Sequence, residues 1–185
     1  MLHFDKYIYE LIDSNMYIAT VGQDALIIDP NINEKALESL RERNVKRALV
    51  ILTHEHYDHI SGVNWLREFL PCSVFCSTAC AENLESVTKN GSKFFSVLFL
   101  SESEEKLKVE PIICKADITF SGSRQFEWNG STIKVYETPG HSAGSICIVV
   151  DEMYLFTGDS LLKDLKVITK LPTGNRKRYT EYTLP

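Results

Sequence analysis

Three of the chain's five histidines fall within one six-residue run, His54-Glu55-His56-Tyr57-Asp58-His59. Imidazole nitrogen is a strong ligand for zinc and related divalent ions, and an aspartate adds a harder oxygen. Two imidazoles two residues apart at the end of an extended segment can point the same way, and the adjoining Asp58-His59 pair supplies an oxygen and another nitrogen further along the chain. That donor set suits two divalent cations. A solvated polar turn with Asp58 as a helix cap is the plainer reading, and so dense a concentration of histidine argues against it. A fourth histidine, His141, stands in Thr138-Pro139-Gly140-His141-Ser142-Ala143-Gly144-Ser145. Gly140 and Gly144 permit tight turns and close backbone approach there, which makes His141 the natural third nitrogen. Asp159, in Gly158-Asp159-Ser160 after an apolar strand, offers a carboxylate able to bridge two cations. His3 reads as a surface residue near a terminus.

The elements that must position these groups follow from hydrophobic patterning. Residues 7–11, 16–21 and 25–29 are rich in β-branched and aromatic side chains and are separated by turn residues, which predicts an antiparallel meander. Asn33 is a plausible cap for a helix running to Arg43, with Ala36, Leu37 and Leu40 at helical spacing. A strand is expected over 47–53, whose core Ala48-Leu49-Val50-Ile51-Leu52 is apolar without alternation, as in a strand covered on both faces. The histidine run follows at that strand's carboxyl end, and a helix is expected over 60–70. A second strand and helix are expected at 73–77 and 78–89. Residues 90–112, with the acidic run Glu102-Ser103-Glu104-Glu105, read as a covering insertion or lid. Strands are then expected at 126–129, 132–137, 145–150 and 153–157, with hairpin turns at Asn129-Gly130 and Asp151-Glu152. Two β-rich halves interleaved with helices imply two packed sheets with helices outside.

Composition bounds the partners. A length of 185 residues with 44% hydrophobic content fits a single domain spanning 1–185. A net charge of −5 leaves no basic excess for a phosphate backbone, so a small-molecule substrate is expected and nucleic acid is not. Neither a basic-then-apolar leader nor a long apolar run is present, which predicts no membrane association and a cytoplasmic location. The odd count of five cysteines, Cys72, Cys76, Cys80, Cys114 and Cys147, suits free packing thiols in a reducing compartment.

The ordered set Asp29, Thr53-His54-x-His56-x-Asp58-His59, Gly140-His141-Ser142 and Gly158-Asp159-Ser160 resembles the metallo-β-lactamase superfamily, and most of all its small glyoxalase II-like metallo-hydrolases. The resemblance covers nearly the whole chain. It implies an α/β fold of the α+β kind, a four-layer αββα sandwich with the site along one edge of two sheets. It implies a first metal on His54, His56 and His141, and a second on Asp58 and His59 with Asp159 bridging. Asp29 would support the metal loop through hydrogen bonds. It also implies one further histidine beyond the Asp159 strand, and none follows His141. The expectation is therefore a sandwich lacking its last strand and helix, or a second ion completed by water.

The implied chemistry is hydrolysis of a small ester, thioester or amide, as in hydroxyacylglutathione hydrolases, with one or two Zn2+ ions. A metal-bound water whose pKa falls from about 15.7 toward about 7 supplies hydroxide at neutral pH. Asp58 and Asp159 are the candidate catalytic groups, orienting that hydroxide and taking its proton, while Ser142 and Ser160 need no such role. Two alternatives remain. One is a mononuclear non-haem Fe2+ enzyme resembling persulfide dioxygenases, for which His54, His141 and Asp159 suffice. The other is an inactive metal-binding scaffold. Lys163, Lys166, Lys170, Arg176, Lys177 and Arg178 hint at an anionic ligand near Asp159, although such a set is more often a solvated surface.

Overall fold

The computed structural model describes residues 2–9, 14–95 and 109–185. The expected lid at 90–112 therefore falls largely outside the described residues, as does the end of the expected first strand. Six strands form one sheet in the order of the chain: β1 (Asp5–Tyr9), β2 (Ser14–Val21), β3 (Asp24–Ile28), β4 (Arg47–Ile51), β5 (Cys72–Ser77) and β6 (Ile118–Phe120). The first three pair antiparallel and the remaining neighbours pair parallel. β7 (Ser123–Trp128), β8 (Ser131–Glu137), β9 (Ile146–Val150) and β10 (Tyr154–Phe156) form a second, wholly antiparallel sheet.

Strand periodicity explains how the layers assemble. Ile27, Val50, Val74 and Cys76 face one core, together with Ala36 and Leu40 of α1 (Glu34–Glu42), Leu66 of α3 (Val63–Arg67) and Leu84 of α4 (Thr78–Leu84). Their neighbours Leu26, Ile28, Ile51 and Phe75 point the other way and meet Ile133, Val135, Ile146 and Ile148 of the second sheet. Alternate residues of the same strands thus serve two apolar layers, which is why 47–53 shows no polar alternation. Asn33 caps α1 by accepting from Ala36 N at 3.1 Å.

Three local expectations change. The helix expected over 60–70 is two short helices, α2 (Tyr57–Ile60) and α3, broken at Gly62, whose Cα lies so close to Asn31 that a Cβ would sit 2.5 Å from its carbonyl carbon. The helix begun at Thr78 ends at Leu84 and gives way to turns. β6 was not expected as a separate strand, because three residues with two exposed side chains carry no readable period. The Asn129-Gly130 hairpin is as expected, with both residues at positive φ, 47° and 83°, matching the twist of the flanking strands. No helix among the described residues is long and apolar enough to cross a membrane.

Candidate metal centre

β3 and β4 run parallel with Ile28 opposite Ile51, so the residues just beyond their carboxyl ends are neighbours. That placement brings Asp29 to Thr53. Asp29 sits at φ 51°, in the left-handed region that aspartate tolerates better than most side chains. Its Oδ1 accepts from Thr53 N at 2.7 Å and its Oδ2 from Thr53 Oγ1 at 2.6 Å. The second sheet is stitched to the same point, since Ile146 N donates to Thr53 O at 2.8 Å. Gly158 leaves the room that this requires: at φ 48°, a Cβ there would collide with the Thr53 hydroxyl.

These supports fix the tautomers of the histidines. A carboxylate only accepts, so His59 Nδ1 donates to Asp29 Oδ2 at 2.8 Å and its Nε2 faces the site. Carbonyls also only accept. His56 Nε2 therefore donates to Pro172 O at 3.0 Å, and His141 Nδ1 donates to Ile168 O at 2.7 Å. Thr53 Oγ1 spends its proton on Asp29 and can accept from His54 Nδ1 at 3.1 Å. In this pattern the free lone pairs are His54 Nε2, His56 Nδ1 and His141 Nε2.

Those three nitrogens converge, all lying within 4.8 Å of one another on buried residues. His56 Nδ1 and His141 Nε2 are 2.9 Å apart. Lone pairs at that distance repel unless a cation lies between them. His54 Nε2 is buried with no hydrogen-bond partner. A proton is a poor substitute for a metal here, because burial and the neighbouring imidazole of His56 push His141 down to about 4. Burial and the other three imidazoles likewise hold His54 well below its usual value. An orphaned buried nitrogen and two facing lone pairs are what a divalent ion would satisfy, so the residues present fit the group.

A second group, His54, His59 and Asp159, meets the same 4.8 Å limit. Asp159 turns one oxygen to His59 Nε2 at 3.5 Å and the other to His141 Nε2 at 3.4 Å, so its carboxylate spans the two groups. Asp58 Oδ2 lies 3.0 Å from His59 Nε2. Burial alone would lower His59, yet the carboxylates of Asp58 and Asp29 override it and hold the imidazole well above its usual value. Burial would raise Asp159, but His59 and the other imidazoles hold it well below the ordinary carboxylate range. All six residues picked out by spacing are thus gathered in one place. Five of them, all but His54, line a cavity of about 610 Å³ whose walls also include Tyr17, Ile28, Phe156, Leu162 and Lys163.

Ser142 is fully buried and hydrogen-bonds away from the cavity, and Ser160 pairs with Thr138. Tyr57 lines the cavity, with its ring against Phe95 and its hydroxyl 3.5 Å from that of Tyr9. The carbonyls of Ile168 and Pro172 had no sequence signal, because main-chain acceptors carry no residue type. Glu55, read only as a spacer between two histidines, is buried and bonded to three side chains.

A mixed two-sheet fold with its polar cluster at one sheet edge defines a class, and comparison with known proteins agrees with it. Residues 10–183 match the model of the metallo-beta-lactamase superfamily, and the chain belongs to that family. Among curated relatives it is 30% identical over 174 residues to a probable metallo-hydrolase of Streptococcus pyogenes, covering 92% of this chain and 71% of that one. It is 27% identical over 157 residues to the hydroxyacylglutathione hydrolase of Klebsiella pneumoniae, covering 85% of this chain and 47% of that one. The chain thus spans about half the length of the hydroxyacylglutathione hydrolases it matches. Among solved structures, the BLEG-1 B3 metallo-beta-lactamase superposes with a TM-score of 0.78 at 28% identity, covering 96% of this chain and 81% of that one.

Proposed function

We propose that this protein is a metal-dependent hydrolase acting on a small ester, thioester or amide. The observation that carries the reading is the convergence of three buried lone-pair nitrogens, on His54, His56 and His141, next to a carboxylate that reaches a second group. His54, His56 and His141 would hold one ion, and Asp58, His59 and Asp159 a second. A divalent ion bound there supplies Lewis acidity and brings the pKa of water down toward neutrality.

The chain's own residues do the rest. Asp58 Oδ2 and the Asp159 carboxylate face the cavity side of the cluster, where they orient an attacking water and accept its proton. Asp29 keeps the His59 ring in one tautomer, and Ile168 O and Pro172 O do the same for His141 and His56, so the donor atoms are aimed before the ion arrives. The apolar walls provided by Tyr17, Ile28 and Phe156 limit water around a bound acyl group, which strengthens the electrostatic contacts inside. The names of the S. pyogenes and K. pneumoniae relatives support hydrolysis as the reaction.

A nitrogen and oxygen donor set accepts both zinc and iron, so metal identity is settled by experiment. Purified protein should be analysed for zinc and iron and assayed on a hydroxyacylglutathione and on chromogenic esters. Zinc with hydrolysis supports the proposal. Iron with oxygen uptake, or bound metal with neither activity, would replace it with an oxygenase or a scaffold.

A further inference from the structure

Glu55 separates two candidate ligands, yet it belongs to neither ligand group. Its side chain is fully buried. A buried carboxylate is costly unless its oxygens are satisfied, and here neutral donors do that work. Oε1 accepts from Asn83 Nδ2 at 2.9 Å and from Thr173 Oγ1 at 2.6 Å, while Oε2 accepts from Ser142 Oγ at 2.9 Å. No lysine or arginine pairs with Glu55 among the described residues.

The three donors come from three elements with different duties. Asn83 lies on α4 and anchors the carboxylate to the helical layer. Ser142 follows His141 directly, and Thr173 follows Pro172, the residue whose carbonyl takes the His56 ring proton. Thr173 also accepts from Ala143 N at 3.2 Å, which closes a loop of contacts between the two segments. Space is reserved for this node: a Cβ on Gly144 would stand 2.5 Å from Glu55 Oε2.

Backbone strain at Thr173 points to the same conclusion independently. Its φ is 65°, a region that a β-branched residue rarely occupies and keeps only when its surroundings hold it there. The 2.6 Å hydrogen bond to Glu55 holds Thr173 there, together with the 3.2 Å bond from Ala143 N and the turn closed by Gly174 N donating to Leu171 O at 2.9 Å.

We propose that Glu55 is a positioning residue for the metal cradle, locking the His141 loop and the 168–173 segment in the arrangement that aims the His56 and His141 rings. The proposal rests on the metallo-hydrolase reading of that cradle. Glu55 touches no substrate in this account and acts through Ser142 and Thr173.

The test compares Glu55→Ala, Glu55→Gln and a control, Ile148→Ala, which opens the core between the sheets and touches neither loop. Zn2+ affinity is measured by competition with a chromophoric chelator at a temperature where every variant is folded. Imidazole ¹⁵N resonances are recorded on the metal-free proteins. Glu55→Ala should weaken Zn2+ binding roughly tenfold or more and release the ring N–H protons of His56 and His141 to solvent exchange. Glu55→Gln should restore most of the affinity, since its amide oxygen still serves Asn83 and Thr173 while the Ser142 hydroxyl can turn to accept. Ile148→Ala should lose stability while keeping the wild-type affinity. Unchanged affinity in Glu55→Ala would overturn the proposal, and so would an equal loss in Ile148→Ala, which would make the effect one of general stability. A wild-type protein that binds no Zn2+ would overturn the metal reading itself, and the ring resonances would still decide whether Glu55 places the two histidines.

Discussion

His56 Nδ1 and His141 Nε2 face each other at 2.9 Å, while the other nitrogen of each ring donates to a main-chain carbonyl. Neither ring can relieve the contact by flipping without giving up its hydrogen bond to that carbonyl. The arrangement is therefore held for a third party, and a divalent ion is the partner its geometry suits.

Metal should contribute directly to folding stability, because an unfolded chain cannot assemble the cradle. Zn2+ at a free concentration of about 100 times its Kd adds about 2.7 kcal/mol, a Tm rise of roughly 5–10 °C for a chain of this size. Thermal denaturation with and without a chelator measures this. An unchanged Tm would mean that zinc does not bind the folded state selectively.

Asp29→Asn separates charge and acceptor chemistry from backbone shape, since asparagine tolerates the same left-handed φ. Its carbonyl can still accept from Thr53 N, but its NH2 would oppose the protons of Thr53 Oγ1 and His59 Nδ1. Each buried donor so stranded costs about 1–3 kcal/mol. Urea denaturation should report a loss within that range or above it, accompanied by weaker metal binding. A neutral result would show that Asp29 supports neither the loop nor the ring.

How far such particulars could be read from sequence depends on the range over which the physics acts. The strand alternation, the Asn33 cap and the Asn129-Gly130 hairpin are local rules, and the structure follows them. The six cluster residues were legible because metal chemistry restricts residue type severely. Glu55 was not, since its partners lie 28, 87 and 118 residues away and glutamate has many uses. The break between α2 and α3 at Gly62 depends on contact with Asn31, which no helical period records.

The cysteines should be slow to react in the native protein. Burial raises all four thiols for which a shift is resolved, with Cys72 pushed up to about 11 and Cys114 to about 12. Burial therefore keeps these side chains as thiols at pH 8, and the thiolate is the reactive form. A chromogenic disulfide reagent at that pH should label the folded protein slowly and the unfolded protein rapidly at five sites. Fast native labelling would contradict the packing assigned to these side chains.

The central claim is tested most directly by titrating Zn2+ into metal-free wild type, His54→Ala and His141→Ala by calorimetry. His54 Nε2 is buried without a partner, and the two imidazoles converge on the same point as that of His56. The account predicts at least one tightly bound ion per wild-type chain and a severe loss of that binding in both variants, which should remain folded. Tight binding that survives removal of either imidazole would place the ion elsewhere and contradict the account.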